Sequence, residues 1–287
     1  MKDLSVRIRN LNFHYKMWGE ANKDAIVCLH GTSGNAGQWW ALAERFQESY
    51  KIFALDQRGH GASDKPKTGY AVEDYEADLH AFCSRLELDQ YILVGNSLGS
   101  RVSFYHAAKH PDRVKAIILI DLSFAMPEAE QRQSIQGHLT RSRRFANEAE
   151  ALAYSKARPD RFRWSEEEHV RGVKGDYFIA ADGGLELKYG LDAAVQTLQR
   201  ARADLTGYAP LIQCPVLLMK GGESKILSLE VAQGVADAIP NCRLAVVPEA
   251  GHTITRDNPQ AFLKLAGDFL EEVSVPGQAG KRRNIAN

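Results

Sequence analysis

Gly95-Asn96-Ser97-Leu98-Gly99 sets a serine between two glycines, where the apolar run Tyr91–Val94 gives way to a helical pattern from Leu98. A strand–turn–helix elbow of this kind holds the serine in a strained conformation with its Oγ exposed. The glycines let the strand and helix backbones approach closely. The helix N-terminus adds a partial positive charge. The chemistry this suits is nucleophilic attack on an acyl carbon. The motif is weak by itself, because a serine in a βα turn also serves as a plain helix N-cap. A hydroxyl also needs a base to become a good nucleophile. His252, in Pro248-Glu249-Ala250-Gly251-His252 after the apolar run Arg243–Val247, stands where a sheet-top site would lie. The rival histidines have plainer readings. His30 and His60 precede glycines in tight turns, His80, His106 and His110 fall in helical segments, and His138 and His169 lie in a polar stretch near substrate at most.

The elements that must position these residues follow from the hydrophobic pattern. Leu4–Ile8 and Leu11–Trp18 read as an opening antiparallel pair. Ala25–His30, Lys51–Asp56, Tyr91–Asn96, Val114–Asp121, Pro215–Gly221 and Arg243–Glu249 are continuous apolar runs of strand length. Such runs predict strands covered on both faces, as in a parallel sheet flanked by helices. Val72–Leu88, Leu98–Lys109, Leu229–Ile239 and Pro259–Val273 predict helices, with Pro259 in a first turn capped by Asp257 or Asn258. The βαβ alternation predicts an open, doubly wound α/β sheet. It breaks between about Ser123 and Tyr208, a polar, helix-leaning stretch without a strong strand run. The expected organisation is a core of residues 1–121 and 209–273, a helical lid over 122–208, and a disordered tail from 274 to 287.

Composition limits the partners. The chain has 287 residues, 44% of them hydrophobic, which excludes wholesale disorder. Lys+Arg and Asp+Glu both number 36, so there is no basic field to collect a nucleic acid. No apolar run approaches the roughly 20 residues that span a bilayer, and the first residues lack a signal-peptide core. Cys28, Cys83, Cys214 and Cys242 are widely spaced inside apolar runs, which suits reduced thiols in a cytoplasmic protein. The expected partner is a small-molecule substrate, with neither nucleic acid nor membrane. A homo-oligomer is compatible with the pattern but not encoded by it.

Together, His30-Gly31 after a strand, Asp56-Gln57-Arg58-Gly59-His60-Gly61-Ala62-Ser63-Asp64 after the next, Gly95–Gly99 and Gly251-His252 make the chain resemble the α/β-hydrolase family over about residues 10–273. The resemblance implies a mostly parallel eight-stranded sheet with the lid inserted after strand six. It implies Ser97 as nucleophile, His252 as base, and an oxyanion hole made by the N–H groups of Leu98 and Thr32. It also implies an acyl-enzyme reaction without metal or organic cofactor. The segment Asp56–Asp64 reads as structural, with Asp56, Arg58 and His60 bonding inside the loop.

The acid that orients the histidine departs from the family's commoner pattern. After the post-lid strand, where that pattern has an aspartate, this chain has Ser224 in Gly221-Gly222-Glu223-Ser224-Lys225. A neutral serine cannot stabilise an imidazolium as a carboxylate does. Two replacements remain open: Asp121, at the end of the strand beside the elbow strand, and Glu223. Some family members place their acid at the position of Asp121, which is preferred. This departure, the Gly-Glu-Ser-Lys turn and Asp182-Gly183-Gly184-Leu185 are similar to a subfamily of hydrolases acting on 2-(acetamidomethylene)succinate, an enamide of a dicarboxylate.

The resemblance therefore implies cleavage of a small ester, amide or enamide, including a carboxylate-bearing one. C–C bond hydrolysis and perhydrolysis use the same scaffold, and a non-catalytic ligand-binding relative is the reading from a different class. Ser97 in place of an aspartate disfavours dehalogenase and epoxide-hydrolase chemistry. Ten arginines and three lysines in residues 122–207 are balanced by thirteen acids, so most belong to solvated ion pairs. Arg158 is the candidate for an inward-facing carboxylate ligand. Trp39 is a candidate pocket wall, with core packing as its alternative.

Overall fold

The computed structural model describes residues 1–274. A hairpin opens the chain: β1 (Lys2–Ile8) pairs antiparallel with β2 (Leu11–Trp18) through a turn in which Arg9 and Asn10 both have positive φ. There follow β3 (Ala25–Leu29), α1 (Trp40–Phe46), β4 (Lys51–Leu55), α2 (Val72–Arg85), β5 (Tyr91–Asn96), α3 (Leu98–Lys109) and β6 (Val114–Ile120). After a long excursion come β10 (Val216–Gly221), α8 (Leu229–Ala238), β11 (Cys242–Val247), the short α9 (Ile254–Asp257) and α10 (Pro259–Ser274). Asn258 Oδ1 accepts from Ala261 N and caps α10. The expected strands and helices of the core are all present, with ends shifted by a few residues at most.

The main sheet has eight strands in the order β1-β2-β4-β3-β5-β6-β10-β11. From β4 to β11 every pairing is parallel, and only the hairpin and the β2–β4 pairing are antiparallel. The continuous apolar runs are explained by two cores, one on each face. Val27, Leu29, Leu93, Ile117 and Leu119 point into one; Ile26, Cys28, Ile92, Val94, Ile118 and Ile120 point into the other. Successive side chains alternate across a strand, so both periods of two must be apolar when helices cover both faces. No helix among the described residues is long and apolar enough to cross a membrane.

The excursion between β6 and β10 holds α4 (Glu128–Leu139), α5 (Glu148–Ala157), α6 (Glu166–Asp176) and α7 (Leu191–Arg200). It also holds strands where none was expected. β7 (Arg144–Phe145), β8 (Tyr177–Ile179) and β9 (Leu185–Leu187) form a three-stranded antiparallel sheet in the order β7-β9-β8. Strands of two or three residues are too short to show a period-two pattern. The Asp182-Gly183 segment turns the β8–β9 hairpin, with Gly183 at φ 84° and its N–H on Ala180 O. Ala151, Val173, Tyr177 and Leu185 form a small core of their own there. Cys28, Cys83 and Cys214 are buried free thiols, and Cys242 is half-buried and also free. The tail expected to be disordered lies, after Ser274, outside the described residues.

Candidate active site

Ser97 sits where β5 meets α3, at φ 51° and ψ −108°, a conformation rarely adopted by an L-residue. The elbow's glycines are sterically required. A Cβ on Gly95 would lie 2.4 Å from the backbone of Gly99, and a Cβ on Gly99 would lie 2.0 Å from Leu29 O. Gly99 N donates to His30 O, tying the start of α3 to the end of β3. Ser100 Oγ donates to Gly95 O and accepts from Ile120 N, tying it to β6.

The loop after β3 runs beside the serine. A Cβ on Gly31 would stand 3.4 Å from Ser97 Cβ, and Thr32 lines the same cavity as Ser97. Among the described residues, neither Thr32 N nor Leu98 N donates to a protein acceptor. His30 holds this loop: its Nδ1 meets Gly31 O at 2.7 Å and its Nε2 accepts from Gln57 N at 3.1 Å. Burial pushes His30 down to about 3, so it stays neutral. His60 Nε2 meets Thr32 O at 2.5 Å. Asp56 accepts from Ala36 N and Ala62 N and meets His14 Nδ1, while Arg58 reaches out to Asp78 on α2. The Asp56–Asp64 segment is thus bound up in loop structure, and Arg58 bonds more widely than within the loop itself.

Asp121 follows β6 at φ 42° and is fully buried. Its Oδ2 lies 2.6 Å from His252 Nδ1 and accepts from Ser224 Oγ at 2.5 Å; its Oδ1 accepts from Gly221 N at 3.0 Å. Glu223, the alternative acid, points elsewhere: its half-exposed carboxylate pairs with Arg163 at 2.5 Å. His252 is held by its own loop, in which Gly251 N donates to Asp257 Oδ2. Asp257 also accepts from Trp164 Nε1, so a residue between α5 and α6 is tied to the histidine's loop. Burial raises the carboxyl of Asp257 above its ordinary value.

Ser97 and His252 line one cavity of about 270 Å³. Among the described residues no hydrogen bond joins them. Such contacts commonly tighten only when substrate is bound. The same cavity is lined by Arg141, Arg158 and Arg161, and by Arg256 four residues beyond His252. Against these four guanidiniums the cavity sets two carboxylates, Asp160 and Asp176. Arg158 bonds Asp160 through two parallel contacts at 2.9 and 2.6 Å, and Arg161 pairs with Asp176 at 3.2 Å. The guanidiniums of Arg161 and Arg256 both stand over the Trp164 ring, 4.3 and 4.5 Å from its centre. Burial lowers the guanidinium of Arg161 below its ordinary value; Asp176 opposes this, and Arg158, Arg256 and Arg141 add to it. Arg141 Nε is buried without a hydrogen-bond partner among the described residues.

The cavity therefore gathers Ser97, Thr32, His252 and Arg158. Asp121 lies behind His252, and Glu223 does not reach it. Trp39, a candidate wall, lies instead in the core face beside α1, 1% exposed and away from the cavity lining. Its large apolar surface is better satisfied by packing than by solvent. The inward turn of Arg141, Arg161 and Arg256 was not expected from the pattern. Ser224 was read only as the loss of an acid, and its bond to Asp121 joins residues 103 apart in sequence.

The α/β-hydrolase-fold family matches residues 24–259. A 2-(acetamidomethylene)succinate hydrolase of Mesorhizobium japonicum is 31% identical over 247 residues, covering 86% of this chain and 87% of that protein. An N-formylmaleamate deformylase of Pseudomonas putida is 26% identical, covering 94% and 97%. The crystal structure of an E-2-(acetamidomethylene)succinate hydrolase superposes with a TM-score of 0.85 at 28% identity, covering 94% of this chain and all of the other. With the sheet order, the serine elbow and the histidine loop in their places, the chain belongs to the α/β-hydrolase family and is one of its hydrolases of small molecules.

Proposed function

We propose that the protein is a serine hydrolase that cleaves a small N-acyl or ester compound carrying carboxylate groups. The observation that supports it most is the 2.6 Å contact of Asp121 Oδ2 with His252 Nδ1, beside a strained Ser97 in one cavity. Asp121 fixes the imidazole with its Nδ1 protonated and its Nε2 free to act as base. His252 Nε2 takes the proton of Ser97 Oγ as the oxygen bonds to the acyl carbon. The N–H groups of Leu98 and Thr32 receive the developing oxyanion. His252 then gives the proton to the departing nitrogen or oxygen, and the acyl group stays on Ser97. Water adds to this ester, again losing its proton to His252. The collapse releases a carboxylic acid and restores Ser97.

The cavity's charge supports the substrate class. Arg158, Arg161 and Arg256 pair with Asp160, Asp176 and Glu168, so among the described residues Arg141 is the guanidinium of this lining without a carboxylate partner. Arg141, which makes no ion pair among the described residues, is placed to meet a substrate carboxylate. The named relatives point the same way, pairing an acetamido or formyl group with a succinate or maleamate frame. The test compares an N-acyl aminomethylene dicarboxylate with its dimethyl ester. The dianion is expected to have the larger kcat/KM, by about 10–100-fold, the worth of a charge-assisted hydrogen bond. Preference for the neutral diester contradicts the assignment.

A further inference from the structure

Away from this cavity, α2 and α3 pack side by side and bring a second group of chemistry-bearing side chains together. Glu76 and His80 stand four residues apart on α2, and His106 and His110 stand four apart at the end of α3. That spacing puts each pair on one helix face. One ring nitrogen from each of His80, His106 and His110 lies within 4.8 Å of the other two. The His80 and His110 rings stack with centroids 4.4 Å apart. Glu76, 2% exposed, sets Oε1 3.0 Å from His106 Nδ1 and 2.9 Å from His110 Nε2. Lys109 Nζ donates to Glu76 Oε2 at 2.6 Å.

An ordinary ion-pair network accounts for Glu76, Lys109, His106 and His110. It does not account for His80, whose buried Nδ1 has no hydrogen-bond partner among the described residues. Nor does it explain three imidazoles, one fully buried, each with a ring nitrogen within 4.8 Å of the other two. Three imidazoles beside a carboxylate are the donor set of a borderline divalent ion such as zinc. The other nitrogen of His106 meets Tyr91 Oη at 2.7 Å, the kind of outer partner that orients a metal-bound imidazole.

We propose that His80, His106 and His110 form a binding site for a zinc-class divalent ion, with Glu76 supplying the compensating negative charge. Zinc–nitrogen bonds of about 2.0–2.1 Å place tetrahedral ligands roughly 3.4 Å apart, so the rings close by about an ångström on binding. The site's role is structural. His106 and His110 lie nine and thirteen residues along from Ser97, roughly 13–20 Å at the helical rise. The ion would clamp α2 to the far end of the helix that carries Ser97 at its start.

The test titrates the intact, chelator-treated protein with zinc chloride, reading stoichiometry by calorimetry and Tm by scanning. One ion per chain is expected. Tm should rise by about 5 °C at a hundredfold excess over Kd and return on adding EDTA. His80→Ala and His110→Gln should each weaken binding at least tenfold, with the shift read against each variant's own zinc-free Tm. His110 is partly exposed, so its variant remains informative if His80→Ala does not fold. His252→Ala should keep the shift, because its imidazole belongs to the other cavity. No saturable binding by the wild type overturns the site. So does an undiminished shift in His110→Gln, or loss of the shift in His252→Ala.

Discussion

Ser224 Oγ donates to Asp121 Oδ2 at 2.5 Å, on the same oxygen that faces His252 Nδ1 at 2.6 Å. The serine in the turn after β10 is therefore a partner of the buried carboxylate at the end of β6. A second aspartate in that turn would face Asp121 at hydrogen-bond distance and repel it. In the proposed mechanism, an acid one strand over and a hydroxyl left behind are two halves of one arrangement.

Ser224→Ala removes one donor from Asp121 but leaves Gly221 N in place. A hydrogen bond to a charged group is worth about 1.5–3 kcal/mol. Part of that is recovered by water, so kcat should fall about tenfold with KM little changed. A KM effect with unchanged kcat would assign Ser224 to substrate binding instead.

Asp121→Asn should lower kcat on the order of 10⁴-fold, because the amide favours the wrong imidazole tautomer. Glu223→Gln should leave turnover within about twofold, since Glu223 is half-exposed and pairs with Arg163. Steady-state kinetics of the two variants decides between the two acids. The opposite ranking moves the acid to Glu223.

Arg141→Met keeps an unbranched apolar stem and removes the charge. For a dicarboxylate substrate KM should rise about 10–100-fold, the worth of one charge-assisted contact. For a neutral ester of the same acyl group KM should stay close to wild type. Equal losses on both substrates would mean that Arg141 supports the cavity's shape rather than its charge.

His138 lines the cavity and meets Tyr189 Oη at 3.1 Å. Burial, with Arg141, His60 and Arg158 nearby, pushes it down to about 3. The unfolded chain binds a proton near 6.5, and the folded chain refuses it until about 3. Stability is therefore complete above 6.5 and falls as the pH drops towards 3, by about 1.4 kcal/mol per unit for this group. Buried His30 adds a second slope of the same sign. Denaturant unfolding at pH 6.5 and 5.0 should show His138→Gln losing about 2 kcal/mol less than wild type over that interval. Equal losses would show that His138 takes up its proton in the folded state.

The parts of this site legible in the sequence are those fixed by local chain geometry. Gly95 and Gly99 mark the elbow because no Cβ fits at either position, and β5 and α3 begin and end at the residues expected. Asp121 was legible as the polar end of an apolar strand. What escaped depends on contacts between distant segments. Arg141 and Arg161 are two of many arginines in a polar stretch, in the short connections after α4 and α5, and no local pattern says which turn inward. Arg256 lies on the short α9 and stacks over Trp164, 92 positions earlier in the chain. Trp39 failed as a pocket wall because aromatic type alone does not distinguish core from cavity. The short strands β7, β8 and β9 are held by pairing rather than by pattern.

Acylation of Ser97 is the step on which the proposed mechanism turns, and covalent labelling reads it. The folded protein is treated with a fluorophosphonate, its intact mass is measured, and the adduct is mapped by peptide sequencing. One adduct per chain is expected on the peptide containing Ser97, and none with Ser97→Ala, whose turnover falls by on the order of 10⁴-fold or more. A folded, active protein that takes no label, or that takes it on a residue other than Ser97, would contradict acylation of Ser97.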